Sequence, residues 1–541
     1  MDTRNSTQID RRYIVLSDLH ATTGLNKSTG RWSTNEDFFW DEIFEEFLIH
    51  FNDGNTTLII NGDFFDFMQV IVSEFTENDY IKYPGLSPLD LNPKYGLKCT
   101  EPAMTLAIDL IAEGHEVLFR ALAEFALNNK VVITKGNHDV QLYWVKVQIR
   151  IKEILKTYQP NLNFDNIEFR PWCYYVKDLF YIEHGNQYED TTSFSNFLYP
   201  MLPEISGENK QLELDLSSFL VRYLTNAIEP INPLADNIRP ISMFWSELFK
   251  KYPTLIIGIF IYALKYVVKI FSIAKKQKKN SESKASKSII EENKRLIIQE
   301  AEFFSIANKA EFNKLSKAFI KFENNKFPVT LEQGPFKFIF NLIKPSILPT
   351  LYLITFSLYS FFCVPKIVSI LKQWFINNFN KDSIYRITSY LYDKNIFNVG
   401  LTILGAVLMI LIIRNLSKSK SSSVFDVSRN FRSIAIDIAN TLNVPIVIFG
   451  HTHYSDIHKT NNGRTYFNTG TWMGIFEETE LLYRDSKQFT FVKIENGKSK
   501  LLRWNSDNKS IEKVIIMDTE SVNLGSENRI FNFILKLLKI T

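Results

Sequence analysis

Between residues 12 and 200 the chain alternates between two kinds of apolar spacing. A short apolar run at 13–17, ending at Asp18, and the segments at 57–61 and 131–134, the last closed by Gly136, read as strands. Helical patterns separate them. Phe39, Ile43, Phe47 and Phe51 recur close to every 3.6 positions, and Ser33 or Thr34 can cap that helix, with Glu36 completing a capping box from Ser33. Pro102 suits the first turn of a long helix running to about Asn128. Residues 174–182 read as strand folded into a hairpin at Lys177 and Asp178. This β-α-β alternation predicts an α/β layered core.

The pattern changes near residue 205. Residues 205–425 hold a Ser/Lys-rich basic tract at 275–287 and three strongly apolar stretches. The stretch at 254–273 carries Lys265 and Lys269 on one helix face, which predicts a helix lying in a membrane interface with its lysines snorkelling. Those at 347–364 and 399–413 are uncharged. They read as membrane segments, slightly short of the roughly 20 residues of a full span. The competing reading is a soluble cap or dimer interface of buried helices. From about Asp426 the α/β pattern returns, with an amphipathic helix at 427–442 and strands at 445–449, 465–468 and 489–494. A last amphipathic helix at 526–540 either docks on its own domain or touches a membrane. The expected organisation is therefore a first domain part (1–204), an insertion (205–425), a second domain part (426–525) and a C-terminal helix (526–541).

A length of 541 residues exceeds one ordinary domain. The 45 Phe and 23 Tyr suit a large core or a membrane-facing surface. A formal charge of +3 supplies no concentrated basic face, so a nucleic-acid partner is not expected. Cys99, Cys173 and Cys363 are scattered and odd in number, which excludes a disulfide framework and fits a reducing compartment. No apolar signal core precedes the first strand, so a cytoplasmic start is expected.

The chemistry concentrates in five short segments, each at the end of an apolar run: Asp18-Leu19-His20, Gly62-Asp63-Phe64-Phe65-Asp66, Gly136-Asn137-His138-Asp139, His184-Gly185-Asn186 and Gly450-His451-Thr452-His453. Singly each is weak, since Asp, Asn and Gly are ordinary turn residues. Together they place imidazole, carboxylate and amide groups beyond the carboxyl ends of strands, where α/β sheets bind ligands. Of the eight histidines, five fall inside these segments. His50 and His115 sit in helical patterns and read as structural, and His458 follows the last pair closely enough to be a substrate candidate.

In this order the five segments resemble the motifs of the calcineurin-like metallophosphoesterases, over roughly 12–200 and 426–500. The run Phe467-Asn468-Thr469-Gly470-Thr471-Trp472 is similar to the strand and turn that follow the family's last motif. The resemblance implies an α/β fold of two mixed β-sheets, sandwiched and flanked by helices, interrupted here by a large, mostly helical, hydrophobic insertion. It implies hydrolysis of a phosphoester, as phosphatase or phosphodiesterase, at a dinuclear metal centre. Asp18, His20 and His453 would bind one metal, Asn137, His184 and His451 the other, and Asp63 would bridge them. Two divalent ions about 3.5–4 Å apart can clamp the attacking and leaving oxygens of an in-line displacement, with a bridging hydroxide as nucleophile. Mn²⁺ is the first expectation, with Fe or Zn suited to the same donors. His138 is then free to act as general acid, oriented by Asp66, while Asp139 supports the loop.

His451 and His453 lie beyond the insertion, yet must reach the same cluster as Asp18 and Asp63. Any true membrane crossings must therefore be even in number, which two spans and one interfacial helix satisfy. Basic flanks at Lys275, Lys276, Arg414 and Lys418 favour a membrane-associated protein with its catalytic part facing the cytoplasm. A lipid-linked phosphoester is then a reasonable substrate. The layout is similar to that of UDP-diacylglucosamine pyrophosphohydrolases, but His138 stands where those carry Arg, and Asn186 where an acidic residue is common. These departures favour ordinary acid-assisted cleavage. A soluble nucleotide or nucleic-acid phosphodiesterase with a helical cap, and a membrane scaffold without catalysis, are the alternatives. The complete ligand set speaks against the scaffold.

Overall fold

The computed structural model describes residues 11–92, 96–189, 192–194, 196–202, 207–215, 217–218, 221–222, 226, 284–303, 424–474, 476–477, 482–483 and 488–514. The apolar stretches at 254–273, 347–364 and 399–413 and the helix at 526–540 lie outside these residues. Among the described residues, no helix is long and apolar enough to cross a membrane. Residues Met1–Gly334 and Val427–Leu524 form one compact unit. Both groups of motif residues belong to it.

Two mixed sheets build this unit. The strands of interest are β1 (Arg12–Leu16), β2 (Thr56–Asn61), β3 (Lys130–Thr134), β4 (Ile167–Arg170), β5 (Cys173–Val176), β6 (Phe180–Glu183), β7 (Ile446–Phe449), β8 (Ser455–Lys459), β9 (Thr465–Thr469), β10 (Thr490–Glu495), β11 (Lys498–Asn505) and β12 (Ser510–Lys513). The larger sheet runs β12-β11-β10-β1-β2-β3-β4, with β1 to β4 parallel and β10 to β12 antiparallel. The smaller runs β8-β9-β7-β6-β5, with β6, β7 and β9 parallel. Strand β2 is buried along its whole length, with an apolar centre at Leu58, Ile59 and Ile60.

The sheets face one another across a shared core. Tyr13, Val15, Ile59, Val132 and Val492 of the larger sheet pack against Phe180, Ile182, Ile446, Ile448 and Phe467 of the smaller. Helices flank the sheets: α1 (Asp41–His50), α2 (Glu101–Gly114), α3 (Glu116–Ala126), α4 (Val145–Tyr158), α5 (Lys284–Phe303) and α6 (Val424–Leu442). Phe47 of α1 meets Trp472, Phe491 and Trp504 edge-on, so the aromatic excess is partly spent on this helix–sheet seam. On the smaller sheet, Phe431, Ala435, Ile438 and Ala439 of α6 pack on Tyr181, Val447 and Phe449.

The hairpin forms from β5 and β6, and Asp178 in its turn adopts the left-handed conformation that a tight reversal needs. Two expected helices differ from the sequence pattern. The first begins only at Asp41, its N-cap position is Trp40, and no side chain caps it. Glu36 is instead buried, its carboxylate accepting from the amides of Thr22, Gly24 and Phe38. The long helix expected from Pro102 to about Asn128 is broken into α2 and α3 at His115. There the chain presses against the loop after β1, and a side chain on Gly114 would lie 1.8 Å from the carbonyl oxygen of Thr23.

Candidate metal centre

Each of the five segments leaves the end of a strand. Asp18 and His20 follow β1, Asp63 and Asp66 follow β2, Asn137 and His138 follow β3, His184 follows β6, and His451 and His453 follow β7. The four strands β1, β2, β3 and β6 precede the insertion and β7 follows it. Parallel pairing of β6 with β7, in register Phe180↔Ile446 and Ile182↔Ile448, sets His184 beside the His451 segment.

The ligand-type atoms of Asp18, His20 and His453 lie within 4.8 Å of one another. So do those of Asp63, His184 and His451, and those of His20, Asp63 and His138. Asp63 connects the groups through one oxygen: its Oδ2 is 2.9 Å from His184 Nε2 and 3.7 Å from His20 Nε2. His453 Nε2 stands 3.4 Å from Asp18 Oδ1.

The surrounding hydrogen bonds divide each carboxylate into an anchored and a spare oxygen. Asp18 Oδ2 accepts from the Ser17 hydroxyl and from the His451 amide at 3.1 Å, while Oδ1 has no hydrogen-bond partner. Asp63 Oδ1 accepts from the His138 amide at 2.8 Å, leaving Oδ2 turned toward the histidines. His184 Nδ1 lies 2.9 Å from the Asn61 carbonyl oxygen, to which its N–H can donate, so Nε2 keeps a lone pair. His20 Nε2, His184 Nε2 and Asn137 Oδ1 are likewise buried without hydrogen-bond partners. Buried polar atoms are seldom left unsatisfied. A converging set of carboxylate, imidazole and amide donors in that state fits divalent metal ions.

Two glycines make the convergence sterically allowed. A side chain on Gly136 would come within 2.2 Å of Asp63 Oδ1, and one on Gly450 within 2.4 Å of Ser17 Oγ and 2.8 Å of Asp18 Oδ2.

The electrostatics follow the same grouping. Burial alone would raise the carboxyl of Asp63, but the imidazoles of His184 and His138 hold it well below its usual range. Burial likewise opposes Asp66, which His138 and His20 nevertheless hold low. His138 Nδ1 lies 2.5 Å from Asp66 Oδ2, and this pairing outweighs burial and raises the His138 imidazole above its ordinary value. Burial would lower His184, but Asp63 raises it to about 9. Asp139 accepts from the amides of Gly136 at 2.6 Å and Phe64 at 2.9 Å, lacing together the loops after β2 and β3.

The other histidines lie elsewhere. His115 is buried with Nδ1 3.0 Å from Asp41 and Nε2 3.2 Å from Glu36. His50 ends α1 against Trp504, with the ring centroids 5.2 Å apart. His458 is on β8 and joins none of the ligand groups found among the described residues.

Several neighbours were not legible in the sequence. Glu189 Oε2 and Thr192 Oγ1 each stand 3.1 Å from His451 Nε2. Thr471 Oγ1 donates to the Asp18 carbonyl oxygen at 2.7 Å. Buried Asp215, whose carboxyl desolvation raises to about 7, feels the charges of His138 and Asp63. Glu189, Thr192 and Asp215 carry no local signal, because each reaches the site through tertiary packing, whereas Thr471 stands in the run that follows the fifth segment.

Strand-end carboxylates and histidines on a two-sheet α/β sandwich form a candidate metal-binding site. Residues 11–218 match the family model of the calcineurin-like phosphoesterases, and the chain thereby carries a phosphoester hydrolase domain of that family. Comparison with curated proteins and with solved structures gave no match. The matched stretch holds the first four segments, and the β6–β7 pairing brings in the fifth.

Proposed function

We propose that the chain hydrolyses its phosphoester at a dinuclear metal centre. Asp18, His20 and His453 would hold one divalent ion, Asn137, His184 and His451 the other, with Asp63 between them. The observation that carries this reading is the position of Asp63 Oδ2, close to Nε2 of a histidine from each set. When bound, the two ions supply Lewis acidity toward the phosphoryl oxygens and a nucleophile from water near neutral pH.

The chain's own residues handle the proton and the positioning. His138 is held by Asp66 through Nδ1, so its Nε2–H is the group that protonates the leaving oxygen as the P–O bond breaks. Asp66 keeps that imidazole charged and oriented, and itself accepts from the amides of Met68 and Gln69. The metals are proposed to be Mn²⁺. Metal-stripped protein should regain hydrolysis of a generic phosphomonoester or phosphodiester when Mn²⁺ is returned, and Asp63→Asn should neither bind two ions nor recover activity. Hydrolysis at the wild-type rate by Asp63→Asn would sink the dinuclear reading, and a stronger response to Fe²⁺ or Zn²⁺ would replace the metal.

Membrane attachment, with the catalytic part on the cytoplasmic side and a lipid-linked phosphoester as substrate, belongs to the same proposal. Its support is the pair of uncharged apolar stretches at 347–364 and 399–413, whose even number keeps both motif-bearing parts on one side. The protein should then stay in the membrane pellet through a high-salt wash and be released only by detergent. Release by salt alone would favour the soluble-cap alternative.

A further inference from the structure

We infer that Glu189 is a positioning residue for His451: its carboxylate fixes which ring nitrogen His451 offers to a metal ion. The inference rests on the dinuclear reading above and concerns the subsite that His451 shares with His184 and Asp63.

The tautomer follows from the partners of one atom. His451 Nε2 lies 3.1 Å from Glu189 Oε2 and 3.1 Å from Thr192 Oγ1. Thr192 directs its hydroxyl proton to the Asn186 carbonyl oxygen at 2.9 Å, so toward His451 its oxygen is an acceptor. An ionised Glu189 carboxylate has only acceptors to offer. With acceptors on both sides of it, Nε2 carries the imidazole proton, and Nδ1 keeps the lone pair available for ligation. Phe431 stacks beside the ring, with centroids 6.1 Å apart and planes at 23°, which restricts its tilt. The carboxylate therefore determines rotation and protonation, while the aromatic contact determines the plane.

His184 and His451 are not treated alike. His184 has the neutral Asn61 carbonyl behind it, whereas His451 has a carboxylate. Removing such an outer partner of a ligating imidazole typically costs 10–100-fold in metal affinity. Glu189 also sits in the same loop as His184, shortly after β6. That loop thus supplies one ligand and anchors another, which comes from beyond the insertion.

The test uses the full chain and Co²⁺ alone as probe, with affinities read by competition against a chelator and coordination read from the visible absorption. Glu189→Ala should weaken one of two Co²⁺ sites about 10–100-fold and leave the other unchanged. Glu189→Gln, which keeps an acceptor oxygen in the same shape, should lose less, and it carries the comparison if the alanine variant does not fold. The fall in kcat of either variant should be recovered by excess Co²⁺. In a His451→Ala background, Glu189→Ala should cost nothing further. Two unchanged Co²⁺ affinities in Glu189→Ala, or a loss fully additive with His451→Ala, would overturn the role given to Glu189 alone. A wild-type chain that takes up fewer than two Co²⁺ ions would overturn the dinuclear reading, and this inference with it.

Discussion

Five residues of the site sit in the left-handed backbone region that side chains generally avoid: Asp18 (φ 57°), His20 (φ 55°), Asp63 (φ 50°), His451 (φ 70°) and His453 (φ 60°). Such conformations cost on the order of 1–3 kcal/mol each and persist where surrounding structure over-determines them. Here they turn the chain sharply after a strand, so that His451 and His453 point into one cluster instead of alternating as in an extended segment. The same crowding yields a test at Gly136. Gly136→Ala should push a methyl group into Asp63 Oδ1, lowering metal uptake and activity together and destabilising the fold by about 1–3 kcal/mol. Wild-type metal content in that variant would mean the loop relaxes freely. His138→Ala should behave differently, losing about 10²–10⁴-fold in kcat while metal content, measured by elemental analysis, stays at the wild-type level. The identities of the motif residues were legible because histidine is scarce and five of the eight cluster beside carboxylates. Glu189 was not, since an acidic residue in a loop says nothing about which imidazole it will meet.

Helices α1, α2 and α3 illustrate what local patterns leave open. Ser33 and Glu36 satisfy the spacing of a capping box, yet Glu36 serves the loop after β1 and the imidazole of His115. A carboxylate's spacing announces that it can accept hydrogen bonds, not which donors will reach it. His115 interrupts the helical pattern for the same reason, being drawn between Glu36 and Asp41. Burial would lower its imidazole, but Glu36 and Asp41 raise it from 6.5 to about 10. A raised folded-state value means the stabilisation is fully present below pH 6.5 and is lost as pH climbs through about 10. Glu36 is shifted the opposite way, its lowered carboxyl contributing stability that disappears as pH falls into the acid range. Denaturant unfolding of the wild type should therefore weaken between pH 6.5 and 10, and His115→Gln should remove most of that slope. His115→Ala at pH 6 should cost about 3–5 kcal/mol, as expected when one member of a buried ion pair is removed. A slope unchanged in His115→Gln would show that other groups carry it.

At the scale of the whole molecule, the central fact is that β6 and β7 are neighbours in one sheet although the insertion separates them in the chain. Backbone hydrogen bonds between these strands carry His184 and the His451-His453 pair to the same end of the sandwich. Metal ions held by ligands from both chain parts should therefore stabilise the fold through linkage. Chelation should lower unfolding stability by about 2.7 kcal/mol relative to protein at a hundredfold excess over the dissociation constant. His451→Ala should blunt the difference, and an identical melting curve with and without chelator would remove the linkage.

The sequence by itself determined the strands that lead into the site, the five chemical segments and their order, because burial forces apolar periodicity and catalysis needs particular donor atoms. It also placed three strongly apolar stretches between the fourth and fifth segments. Tertiary structure decided the rest: that Asp63 Oδ2 lies near histidines of both sets, that α2 and α3 separate at His115, and that Glu189 faces His451. Each of these depends on groups distant in the chain meeting at hydrogen-bond range, and periodicity records only how a residue relates to its own element.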